Sequence, residues 1–283
     1  MIAVTGASGH VGGELVRLLA DQDRAVRAVV RDIGAYDPPK AVQAVAADLN
    51  RPETLADAFT GSEALFLLGG FADMPDVPAQ ARAAGIGHVV LLSSRSVVGG
   101  HADNAVVAMH MTSEAAVRES GIPWTFLRPS GFMSNTFEWT AQLREGDTVH
   151  APFADVPIAA IDPYDIASVA AAVLTRDEQY GRDHALSGPA ALRPADRLAT
   201  LARVLGRPLR LTAQSDAEAR TEMSETIPAR YVDAFFRFFA DGEFDDSAVL
   251  TTVEEITGQA PRTFEAWARA HADEFDRPPR SQP

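Results

Sequence analysis

The chain has no cysteine, a single lysine and no apolar run that approaches a membrane span. Without cysteine there are no disulfides, no thiolate nucleophiles and no cysteine-ligated metals; no metal site is read, and any redox chemistry must ride on a bound cofactor. A bilayer span needs about 18 consecutive apolar residues, so no membrane partner is expected. Positive charge is scarce, with 25 Lys plus Arg against 39 Asp plus Glu and a net charge of −14 over 283 residues. That sign repels phosphate backbones and argues against nucleic acid as a partner. Residues 1–5 read as a strand rather than as a basic leader followed by an apolar stretch, so the expected location is the cytoplasm. Wholesale disorder is excluded too, because a hydrophobic fraction of 46% supports a packed core.

What is present is a rhythm. Through the first half, short apolar runs alternate with helical patterns. Strands are read at residues 2–5, 25–30, 42–46, 64–68, 88–93 and 124–128, and helices at 14–20, 53–59, 78–84 and 104–120. Pro52 suits a helix start, and Gly121 with Pro123 suits the end of the fourth helix. Apolar strands separated by helices predict a parallel sheet covered on both faces: an α/β, Rossmann-type doubly wound fold. The rhythm loosens after Pro129. Helices are read at 162–174 and 195–205, a short strand at 209–212, and residues 231–239 are the most aromatic stretch. The chain then divides into a dinucleotide-binding domain, residues 1–128, to which later segments return, and a smaller, mainly helical substrate-binding part, residues 129–283. Residues 277–283 read as a frayed tail.

Thr5-Gly-Ala-Ser-Gly-His-Val-Gly12 joins the first strand to the first helix. Gly6 permits a tight turn, Gly9 lets backbone N–H groups approach a pyrophosphate, and Gly12 lets the helix pack closely, with the anion at the helix N-terminus. Ser8, His10 and Val11 lie in the same loop and are candidate cofactor contacts with the three glycines. The end of the second strand reads the ribose: an acidic residue there accepts the 2′-hydroxyl of NAD, and an arginine suits the 2′-phosphate of NADP. Arg31 offers a bidentate guanidinium and favours NADP(H), while Asp32 keeps NAD open.

The Gly-x-x-Gly-x-x-Gly spacing resembles the short-chain dehydrogenase/reductase superfamily. The chain as a whole resembles its NmrA-like branch of atypical members, which includes bacterial NADPH–quinone oxidoreductases. The likeness runs through Ala47-Asp-Leu49, Leu91-Leu-Ser-Ser94, His110-x-x-x-Glu114 and Ser120-Gly-Ile-Pro-Trp-Thr-Phe-Leu-Arg-Pro129. It continues through Phe132, Asn135 and Ile161-Asp-Pro-Tyr-Asp-Ile-Ala167 to a closing helix expected within residues 250–265. The resemblance implies that Asp48 and Leu49 meet the adenine, and that Leu68, Gly69 and Gly70 line the ribose and phosphates. It also implies that Pro129, Gly131 and Phe132 approach the nicotinamide; Ser93, in the Leu91-Leu-Ser-Ser94 motif, is a further candidate cofactor contact. Residues 162–165 are expected to form a structural helix cap.

Ordinary short-chain reductases protonate the carbonyl with a Tyr-x-x-x-Lys pair, the lysine lowering the tyrosine pKa. Counting back from Glu114, the lysine position holds His110 and the tyrosine position holds Val106, which has no proton to give. The candidates left are Ser94, which can hydrogen-bond a substrate oxygen, and His110, which can touch the ribose or relay a proton; each also has a purely structural reading. A quinone, or a carbonyl beside a phenol, needs no protein acid. Aromatic residues after the sixth strand (Phe132, Phe137, Trp139, Phe153, Tyr164 and the 235–239 cluster) suit a flat hydrophobic ligand, although much of that cluster is expected to be core. The expected function is an NADPH-dependent reductase of a carbonyl or quinone, possessed of a small-molecule hydrophobic partner and acting as a monomer or homodimer. The alternative is a non-catalytic NADP-binding redox sensor. A sugar-nucleotide epimerase, dehydratase or isomerase is disfavoured because such enzymes keep the Tyr-x-x-x-Lys pair.

Overall fold

A computed structural model describes residues 1–71 and 74–276 of the chain. Seven strands form one parallel sheet in the order β3-β2-β1-β4-β5-β6-β8. They are β1 (Ile2–Thr5), β2 (Val26–Val30), β3 (Gln43–Ala46), β4 (Ala64–Leu68), β5 (His88–Leu92), β6 (Trp124–Pro129) and β8 (Arg182–Leu186). A separate parallel pair joins β7 (Thr148–Ala151) to β9 (Arg210–Ala213). The central strands β1 and β2 are buried along their whole length, whereas the edge strand β3 is not. That contrast is what a sheet covered by helices on both faces requires.

On one face, helices His10–Asp21 and Pro163–Val173 pack over Val4, Ala28, Phe66 and Leu127. On the other, helices Leu55–Phe59, Asp76–Ala83 and Ala105–Glu119 pack over Ala3, Leu65, Leu91 and Phe126. A third core, built on Trp139, Trp267 and Phe275, belongs to the later part of the chain. The strand order reverses between β1 and β4, where doubly wound sheets open a ligand crevice at the carboxyl ends of their strands.

Two later segments pack on the first half of the chain. β8 pairs with β6 along Thr125–Pro129, and helix Pro163–Val173 lies against helix His10–Asp21. Asp162 caps that helix by accepting from the Tyr164 N–H at 2.9 Å, as its spacing predicted. Neither β7 nor β8 was foreseen, because Thr148–Ala151 and Arg182–Leu186 mix polar and apolar residues without a clean run. The expected closing helix is corrected to two, Thr252–Thr257 and Phe264–Ala270. Gly258 ends the first in the left-handed conformation (φ +73°), which glycine adopts at least cost. The tail at 277–283 lies outside the described residues. Among the described residues, no helix is long and apolar enough to cross a membrane.

Candidate active site

The glycine loop is shaped by contacts that exclude any side chain. A Cβ on Gly12 would lie 2.2 Å from the Gly6 carbonyl oxygen, so the first helical turn can press on the loop only as glycine. Gly6 is left-handed (φ +62°) and its missing Cβ makes room for Leu68. Thr5 ties β1 to β4: its hydroxyl donates to the Phe66 carbonyl and accepts from the Leu68 N–H, each at 3.0 Å. Gly9 caps helix His10–Asp21 without a side-chain hydrogen bond, and the first turn carries no acid. Backbone N–H groups at such a helix start are an anion site.

Ser8, Gly9 and His10 line a cleft with Arg17, Tyr36 and His271, and Val11 turns inward to the core. His10 stacks on Phe137 (centroids 5.3 Å apart), and burial, then His271, push its pKa below the usual histidine value. Arg31 and Asp32 are exposed just past β2. The Asp32 carboxylate accepts from the Gly34 N–H at 2.9 Å, whereas Arg31 follows Val30, which pairs with Ala46 of β3. Asp48, two residues beyond Ala46, therefore lies at the neighbouring strand end, but Leu49 buries its side chain in the core. Neither Arg31, Asp48 nor Leu49 walls the enclosed cleft. Arg17 and Tyr36 were missed; Arg17 lies one helical turn past Gly13, the only signal available.

The second group gathers where β4, β5 and β6 end. Leu68, Gly69, Ser93, Ser94, Pro129, Gly131 and Phe132 line one cavity of about 450 Å3. Gly70 stands just outside it, its N–H donating to Ser113 Oγ at 3.0 Å. Val106 and His110, one turn apart on helix Ala105–Glu119, complete the wall. Asn104 caps this helix by accepting from the Val106 N–H, and its amide donates to the Ala234 carbonyl of the aromatic helix Ala229–Phe239. Four residues below His110, Glu114 is 1% exposed and holds the helix to the sheet. It accepts two hydrogen bonds from Arg128 at 2.8 Å and one from Ser93 at 2.8 Å, with Arg118 at 3.0 Å. Burial alone would raise its pKa, but these donors hold it below the usual carboxylate range. Ser93 thus reaches the cavity with its hydroxyl already committed.

The two candidate catalytic residues come together here. Ser94 Oγ shares a 3.0 Å hydrogen bond with Ser96 Oγ. His110 is largely shut away from water, which lowers its pKa to about 4 against the opposing pull of Glu114. It is a neutral imidazole at physiological pH, and its Nδ1 has no partner among the described residues. Sequence reasoning missed Asp246, which comes from an irregular segment with no periodic signal. Its carboxylate accepts from the Gly131 N–H at 2.8 Å and lies 3.3 Å from Arg95. Burial raises its pKa to about 6, with Gly131 and Arg95 opposing.

Beyond this cavity lies another of about 400 Å3, and the two share Gly131, Phe132, Asn135, Phe235 and Phe239. The 235–239 cluster divides: Phe236 is core, while Phe235 and Phe239 face the cavities. Phe153 adopts φ +51°, a costly conformation for a bulky residue, and packs on Phe236 and Phe239 at 4.9 and 5.2 Å.

Residues 6–177 match the NAD(P)H-binding family. The chain belongs to that family. It is 38% identical to a (4-alkanoyl-5-oxo-2,5-dihydrofuran-3-yl)methyl phosphate reductase of Streptomyces griseus, over 97% of this chain and 99% of that one. It is 33% identical to an NAD(P)H azoreductase of Xenophilus azovorans, again over 97% and 99%. Among solved structures, it is similar to the NADPH-dependent quinone oxidoreductase QOR2 of Escherichia coli complexed with NADPH (TM-score 0.77, 22% identity, covering 96% and 100%). The NAD(P)H-binding loop of this chain fits a dinucleotide on its own geometry: uncapped helical N–H groups, and a cradle that a Cβ at Gly12 would fill.

Proposed function

We propose that this protein is an NADPH-dependent reductase of a flat, hydrophobic, conjugated acceptor, a quinone or a carbonyl, working without the usual tyrosine–lysine pair. The observation that carries the reading is that the strand-end cavity adjoins an aromatic cavity, with Gly131, Phe132, Asn135, Phe235 and Phe239 lining both. A protein that only sensed NADP would need the first and not the second. The relatives support reduction, since one is named for an oxo-dihydrofuran bearing an alkanoyl group and the other for azo compounds.

The glycine loop would hold the pyrophosphate of NADPH, whose nicotinamide would supply hydride. The chain supplies position. Gly131, its N–H held by Asp246, together with Phe132 and Val106 sets walls between which an acceptor lies. Positioning of this kind supplies a large part of a barrier reduction. Ser94 presents a hydroxyl to an acceptor oxygen, and neutral His110 offers a hydrogen bond rather than an imidazolium proton. A quinone acceptor delocalises the charge it gains and takes its proton from water. Arg31 makes NADPH the preferred dinucleotide, because the nearby Asp32 carboxylate is engaged in its own turn. Oxidation of NADPH and NADH in the presence of quinones, aromatic ketones and azo dyes tests this reading. Tight NADPH binding with no turnover on any of them would return the sensor.

A further inference from the structure

The aromatic cavity contains a cation that the apolar reading does not explain. Arg197, in the first turns of helix Pro194–Leu205, lines the outer cavity and is 8% exposed. Among the described residues its one hydrogen bond joins Nη1 to Thr136 Oγ1 at 3.3 Å, and its Nε is buried with no partner. The guanidinium lies over the Trp139 ring, 5.0 Å from the centroid. No carboxylate of the described residues comes within 4 Å of it; Glu138, on the same wall, is near enough only to temper the lowering of its pKa by burial. Two other arginines are equally buried, and both show what a structural cation looks like among the described residues. Arg128 makes two hydrogen bonds to Glu114 and an ion pair to Asp183 at 2.7 Å, and Arg27 donates to Gln43 and to the carbonyls of Asp57, Ala58 and Thr60; Arg197 has far fewer partners than either.

A buried guanidinium whose donors are left without acceptors is costly unless something completes it. Arginine presents a planar fork of donors that matches carboxylate and phosphate oxygens. Its position matters as well. Arg197 lines the outer cavity but not the strand-end cavity, where the acceptor's reducible atom must lie. Asn135 lines both and offers an amide along the way.

We propose that Arg197 selects the acceptor, and that the acceptor is amphipathic: an unsaturated apolar body with a phosphate monoester or carboxylate at the end remote from the reducible carbon. This rests on the reductase reading and adds the charge that the aromatic walls conceal. Phe235 and Phe239 hold the body, and Arg197 anchors the head, so that binding the anion sets how far the acceptor extends toward the glycine loop.

The test uses phenyl phosphate, benzoate and neutral benzyl alcohol, titrated calorimetrically into protein saturated with NADP+, which blocks the glycine loop as a competing anion site. At least one anion should bind more tightly than benzyl alcohol, and Arg197→Met should weaken it by about tenfold or more, the scale of one lost charge-assisted hydrogen bond. Phenyl phosphate alone binding identifies a phosphate head, and benzoate alone a carboxylate. If neither anion outcompetes the alcohol, or if Arg197→Met binds like the parent, the proposal is overturned. Thermal melting of the ligand-free variant closes the remaining gap. An unpartnered cation predicts a Tm equal to or above the parent; a fall in Tm, or failure to fold, marks a structural arginine and overturns the proposal. No turnover is involved, so the proposal and the reductase reading can fail independently: oxidation of NADPH by neutral naphthoquinone reports the second alone.

Discussion

The glycine loop and the aromatic cavity meet the same problem, an anion in a chain of net charge −14, and solve it differently. At the loop, the donors are backbone N–H groups within eight consecutive residues, and the side chains have been removed to let them be reached. In the cavity, the donor is one guanidinium, positioned by segments drawn from residues 131–139, 151–160, 194–197 and 223–239. The first device is local and rigid. The second depends on packing between distant segments, and so is open to change while the first stays fixed. One region therefore fixes the cofactor and the other the acceptor.

The helix Ala105–Glu119 walls the strand-end cavity that adjoins the aromatic one, and breaking its anchor should give the largest effect. Glu114→Ala leaves Arg128 buried and half-paired, and should destabilise the fold by about 3–5 kcal/mol in urea unfolding. If the loss is under about 1 kcal/mol, the scale of a surface pair, the helix is held by apolar packing alone. Next comes the loop. Gly12→Ala forces its methyl against the Gly6 carbonyl and should cost about 1–3 kcal/mol, with a matching loss of NADPH affinity in fluorescence titration and no direct effect on the acceptor cavity. Unchanged affinity would show that the close approach of helix and loop is dispensable. Smaller still, Arg31→Ala should weaken NADPH by about tenfold and leave NADH nearly unaffected. Equal losses for both dinucleotides would remove the 2′-phosphate assignment.

The smallest effect is a pH dependence on the cofactor side. Asp165 accepts from the Arg262 N–H at 2.8 Å, and burial raises its pKa to about 7, with that hydrogen bond opposing and Asp162 adding. Its folded pKa lies above its unfolded value of about 3.9. Its contribution is therefore fully present below that value and is lost as pH rises toward about 7. Asp165→Asn should reduce the fall in Tm across this interval. An unchanged pH profile would show that the carboxyl stays charged in the fold.

The sequence made the two regions unequally legible. The six first strands, the loop and the cap at Asp162 are written in short patterns, because period, glycine spacing and capping residues act over a few positions. The edge strand β8 carries Arg182, Asp183 and His184, which no apolar pattern reveals. The cavity was legible only as aromatic content. Nothing in the string distinguishes Phe236, which is core, from Phe235 and Phe239, which face a ligand space. No sequence pattern singles out Arg197 or Asp246, and only the packing of distant segments around them makes them a buried cation and a buried acid. Ser93 shows the converse, a motif residue whose hydroxyl faces a structural carboxylate.

The measurement that bears most directly on the central claim is steady-state oxidation of reduced nicotinamide by menadione and phenanthrenequinone. The account predicts turnover with NADPH preferred over NADH, and a rate that does not follow a histidine titration near neutral pH, since His110 is already neutral there. Tight binding of NADPH with no oxidation by either quinone, any aromatic ketone or any azo dye would contradict it.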